Sequence, residues 1–122
     1  MSVDQQPPPD IVLLSVDWRT RVPLRAQLIE DGFDVLATDT WPMMRGHLRP
    51  GAKPRLAIVD LQGLENPTEV LDGLRVLMKP GHVLVLTALA SATPEQVEHT
   101  GFLILRRPVS IEEVVRAARG VN

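Results

Sequence analysis

Residues 55–64 read RLAIVDLQGL: four apolar residues, Leu56 to Val59, delivered directly to Asp60. A run without polar alternation is the pattern of a strand buried on both faces, as in a parallel sheet covered by helices. Working outward, three more runs have this character. Ile11–Val16, broken only by Ser15, leads to Asp17; Val83–Leu86 leads to Thr87; Phe102–Leu105 leads through Arg106 to Arg107-Pro108. In an open parallel sheet the ligand crevice lies outside the carboxyl ends of the strands. An acid, a second acid, a hydroxyl and a cation are therefore expected at one edge.

The segments between these runs carry helix signals. Asn66-Pro67-Thr68-Glu69, Thr93-Pro94-Glu95-Gln96 and Ser110-Ile111-Glu112-Glu113 each place a capping side chain three residues before Glu or Gln, the spacing of a capping box. Val70, Leu71, Leu74, Leu77 and Met78 form one helical stripe, and Ile111, Val114, Val115 and Ala118 another. The helix after Thr93 offers only Val97 and is expected to be marginal. Three prolines and two glycines between Trp41 and Pro54 restrict the helix there to about Pro42–Leu48. Gly32 is a good stop for the first helix, and the short strand Val35–Ala37 after it suits an edge. Alternating strands and helices imply right-handed crossovers. The expected fold is α/β: a five-stranded parallel sheet of order 2-1-3-4-5 with helices on both faces, the flavodoxin-like arrangement.

Composition excludes several function classes. The 122 residues suit one domain. Residues 1–9, MSVDQQPPP, read as a disordered proline-rich tail and residues 10–122 as the folded unit. A net charge of −2 gives no electrostatic case for nucleic acid or an anionic membrane. The absence of cysteine removes disulfides, thiolate metal sites and thiol nucleophiles, and suits a reducing cytoplasm. No apolar run is long enough to span a bilayer, and the amino terminus lacks a basic-then-apolar signal pattern. His47, His82 and His99 have no ligand-like spacing.

From Ile11 to Val121 the chain resembles a response-regulator receiver domain. "RLAIVDLQGL" is similar to that family's third strand, which ends in the phosphoacceptor aspartate, here Asp60. "VLVLTALA" resembles the fourth strand with its hydroxyl–alanine pair, here Thr87 and Ala88. "FLILRRPVS" resembles the fifth strand and its Lys-Pro signature, with Arg107 in the lysine's place and Pro108 matching. "LIEDGFDV" resembles the stretch joining the first helix to the second strand. The resemblance implies a signalling domain that is not itself an enzyme, with a sensor kinase or downstream signalling protein as partner, in the cytoplasm, as a monomer or weak homodimer.

The departures from the family's pattern alter the chemistry. Receiver domains usually present two adjacent acids after the first strand, which hold magnesium together with the phosphoacceptor. Counted back from Gly32 and Asp60, those places fall on Ser15 and Val16; the nearest acid, Asp17, comes one residue late. A one-residue step turns a strand side chain to the opposite face. The resemblance thus leaves Asp17 and Asp60 as a weak pair of magnesium ligands, while Asp17 alone reads as an N-terminal helix residue. Arg107 is a planar fork and not a point charge, able to pair with Asp60. The aromatic switch position of the fifth strand is Ile104, so output is expected through a fixed surface formed by the helix after Thr93, the fifth strand and the last helix.

The expectation is an atypical receiver, a pseudo-receiver acting as a protein-interaction module without conventional magnesium-dependent phosphorylation. The alternatives are a working phosphoacceptor at Asp60, with Thr87, Ala88 and Arg107 contacting phosphate, and a small-molecule-binding flavodoxin-like domain. The last lacks a Gly-rich loop after the first strand. Trp18 and Trp41 are expected to shield loops near the crevice rim, and Arg106, Arg116 and Arg119 to lie beside Glu112 and Glu113 on a solvated face.

Overall fold

Alternate residues of the apolar strands feed two separate cores, one on each face of a single sheet. The computed structural model describes residues 7–88 and 100–121. The strands are β1 (Ile11–Leu14), β2 (Val35–Thr38), β3 (Leu56–Asp60), β4 (Val83–Leu86) and β5 (Leu103–Leu105), all parallel, in the order β2-β1-β3-β4-β5. This is the expected order, with β2 at one edge. The other edge is β5, whose apolar run reads as buried on both faces; it is the shortest strand, with Leu103 exposed and Ile104 and Leu105 half-buried. The helices are α1 (Trp18–Glu30), α2 (Trp41–Arg45), α3 (Pro67–Leu77) and α4 (Ile111–Arg119), with a 3₁₀ turn at Pro80–His82. The helix expected after Thr93, its capping box and His99 lie outside the described residues, as does most of the tail.

Val12, Leu14, Val59 and Val85 point toward α2 and α3, where Met44, Leu48, Leu71 and Leu74 meet them. Leu13, Ile58, Leu84 and Leu86 point the other way, against Leu24 and Leu28 of α1 and Val114, Val115 and Ala118 of α4. Each fully buried side chain of this kind contributes about 1.5–3 kcal/mol relative to exposure. The period-two alternation that was invisible in the uniformly apolar strands thus reappears as a division between two helical layers.

The helix boundaries follow capping chemistry. Ser110 and Glu113 form the expected reciprocal box, the Glu113 amide donating to Ser110 Oγ and the Ser110 amide to Glu113 Oε1. Thr40 caps α2, which ends at Arg45, earlier than expected. Asn66 corrects the reading of the Asn66–Glu69 box. With φ −126° and ψ 66° it makes no side-chain cap, and α3 starts on Pro67 alone. Gly32 follows α1 with φ +99°, a left-handed conformation that any side chain would strain. Pro23 is tolerated inside α1 on its exposed side.

Trp41 is seated by an unusual complement on α3. A Cβ added to Gly73 would lie 2.3 Å from Trp41 Cζ2, so only a bare backbone lets the indole pack there. Trp41 is buried as a result. Trp18, expected to shield a loop, is instead 65% exposed.

Candidate functional site

Asp60 ends β3 with no solvent exposure, which demands partners for its charge. It has four. Oδ1 accepts from Arg107 Nη1 at 2.5 Å and from the Gln62 amide at 3.0 Å. Oδ2 accepts from Arg107 Nη2 at 2.9 Å and from Ser15 Oγ at 3.1 Å. An ionised carboxylate offers about four lone-pair sites, and these four donors occupy them. The Arg107 pair is the bidentate fork-to-fork arrangement that a lysine cannot make.

Arg107 reaches Asp60 because the end of β4 holds its backbone. The Arg107 amide donates to Thr87 Oγ1 at 3.0 Å, and Nη1 also donates to the Thr87 carbonyl at 2.7 Å. The Thr87 amide in turn donates to the Leu105 carbonyl. Thr87 is buried and Ala88 directly after it is half-buried. The guanidinium retains 12% side-chain exposure. Asp60, Thr87 and Arg107 therefore meet as one network, as the sequence led us to expect.

Asp17 stands at the same end of the sheet, where its carboxylate is engaged by its own helix and not by Asp60. It is the N-cap of α1: Oδ1 accepts from the Arg19 amide at 2.9 Å and from Arg19 Nε at 3.1 Å, while Oδ2 accepts from Arg19 Nη2 at 3.1 Å. The Arg19 side chain, then its amide, hold the Asp17 carboxyl below the ordinary carboxylate range, and the charge of Arg107 lowers it further. Arg21 pins the same loop by donating to the Ser15 and Val16 carbonyls.

Ser15 was not among the sequence candidates. Its hydroxyl, buried next to Asp60, occupies the place where the receiver resemblance calls for an acid. Val16, at the other such place, is exposed and lies against Gly63. The donor set does not fit a magnesium ion. Such an ion takes one or two carboxylates plus waters, and here one carboxylate is saturated, the second is turned to a helix end, and a hydroxyl and a valine stand between them. No cluster of three His, Asp or Glu side chains suited to a metal occurs among the described residues.

Elsewhere, Arg119 leaves the expected α4 charge face and forms a two-point ion pair with Asp31 at the end of α1. That pair holds the Asp31 carboxyl below its ordinary value.

No protein-family model matches the chain, and no curated protein does. Solved structures match it well. A response regulator receiver protein from Pseudomonas putida is 18% identical over 89% of this chain and 93% of that one, with a TM-score of 0.75. A receiver protein from Sinorhizobium medicae is 16% identical over 89% and 90%, with a TM-score of 0.73. A Rhodopirellula baltica protein described as an adenylate cyclase is 22% identical over 89% and 83%, also at 0.73. At these identities the likeness establishes the fold: this chain has the fold of response-regulator receiver domains.

Proposed function

We propose that this chain is a pseudo-receiver, a signalling interaction module in which Arg107 permanently supplies the positive charge that a phosphorylation cycle would otherwise control. The observation that carries this reading is the four-donor saturation of Asp60. Attack on a phosphoryl group requires a carboxylate oxygen with a free lone pair facing the incoming phosphorus, and a divalent cation to neutralise the phosphoryl oxygens. Asp60 offers neither the free oxygen nor, with Ser15 and Val16 beside it, a cation-binding partner. Magnesium affinity is accordingly weak, and no chemical step is assigned to the domain. Its partners are proteins of a signalling pathway, met through surfaces that include β5 and α4.

The test is a titration with magnesium, with and without beryllofluoride as phosphoryl mimic, followed at backbone amides by NMR. Only weak magnesium shifts and no saturable response to the mimic are expected. Tight magnesium binding, with coupled shifts at Asp60, Thr87 and Arg107 on adding the mimic, would replace this reading with a working phosphoacceptor.

A further inference from the structure

Beside the Asp60 network, a groove of about 450 Å³ runs between the β1–α1 loop and the first turns of α2 and α3. Val16, Trp41, Leu64 and Val70 supply its apolar lining, and Val16 is 41% exposed there. Its rim carries Asp39, Glu65 and Glu69 against Arg45 alone: three carboxylates and one guanidinium. Asp17, the acid that caps α1 at this same sheet end, is already paired with Arg19. The three rim carboxylates make no ion pair among the described residues.

We propose that this groove docks the apolar face of a cationic amphipathic helix from a partner protein. The inference rests on the chain being an interaction module, but not on the state of Asp60. Apolar anchors at i, i+3, i+4 and i+7 are what such a groove reads. Lysine or arginine flanking those anchors would meet the excess of carboxylates, and a partner with acidic flanks would be repelled. The floor is preformed, since Gly73 lets the Trp41 ring settle against α3. A serine and a valine at the end of β1 thus have a joint effect: Ser15 closes the acidic site, and Val16 gives the neighbouring groove an apolar wall.

The test uses the full chain and two helical model peptides of about 15 residues, one of leucine and lysine, the other of leucine and glutamate in the same pattern. The lysine peptide is expected to shift the amides of Val16, Gly63 and Glu69 and the Trp41 indole saturably, and the glutamate peptide is not. The double variant E65K/E69K, altered only at exposed positions, should bind the lysine peptide about tenfold more weakly and gain affinity for the glutamate peptide. Equal binding of both peptides, unchanged affinity in the variant, or shifts centred on the exposed Trp18, Val22 and Ile29 of α1 would each overturn the proposal. Adding beryllofluoride reports separately on Asp60, so failure of the groove and failure of the pseudo-receiver reading give different spectra.

Discussion

Arg107 and Asp60, 47 residues apart in the chain, join through two guanidinium–carboxylate hydrogen bonds at the end of the sheet, the aspartate wholly out of water. Removing one partner of such a pair leaves the other charged and buried. Arg107→Ala is therefore expected to destabilise the fold by about 3–5 kcal/mol. Adding Asp60→Asn to it should recover part of that loss. Urea unfolding of the two single variants and the double variant measures the coupling; strictly additive effects would contradict the pairing.

Restoring the two acids should restore metal dependence. Ser15→Asp with Val16→Asp places carboxylates next to Asp60, raising their mutual repulsion. This variant is expected to melt below the parent without magnesium and to climb with added magnesium, by about 2.7 kcal/mol at a hundredfold excess over the dissociation constant. Thermal unfolding at graded magnesium decides the matter. A parent protein that responds to magnesium as strongly as the variant would count against the site described here.

Gly73→Ala should destabilise despite favouring the helix. Alanine gains about 1 kcal/mol over glycine in a helix interior, but its Cβ would collide with the buried Trp41 ring, and overpacking costs about 1–3 kcal/mol. A lower urea midpoint and altered tryptophan emission are expected; a raised midpoint would show the ring moves freely.

The Asp31–Arg119 pair predicts an acid-side effect. Because Arg119 lowers the folded-state pKa of Asp31 below 3.8, the unfolded chain binds the proton first. The stabilisation is thus present above the ordinary aspartate range and lost as pH falls through the lowered value. In Arg119→Gln the Asp31 carboxyl should titrate near its ordinary position. Carboxyl carbon shifts followed by NMR between neutral and acid pH check this, and an unchanged titration would refute the contact.

The strands and the sheet order were legible because uniformly apolar runs ending in chemistry-bearing residues suit few architectures besides a parallel sheet buried on both faces. The approach of Arg107 to Asp60 followed from placing both at one sheet edge. The receiver resemblance put Ser15 in an acid's place beside Asp60, but its hydrogen bond to that carboxylate was not legible, because a lone serine in an apolar strand does not show which way its hydroxyl donates. The same holds for Gly73, whose place in a helical pattern does not reveal the ring packed against it, and for Arg119, whose partner lies 88 residues away. Asp17 held two meanings in sequence, and its pairing with Arg19, two residues on, through both carboxylate oxygens was not one that the spacing specified. Asn66 had the spacing of a cap without its backbone conformation, which no pattern of side chains specifies.

A charge supplied by the chain itself has no clock. If Arg107 stands in for the events of a phosphorylation cycle, the setting is made once, when β5 docks beside β4, and it lasts as long as the molecule does. There is then no half-life to tune and no phosphatase to answer to. The strength of the message is the number of copies present, so its control passes to synthesis and degradation.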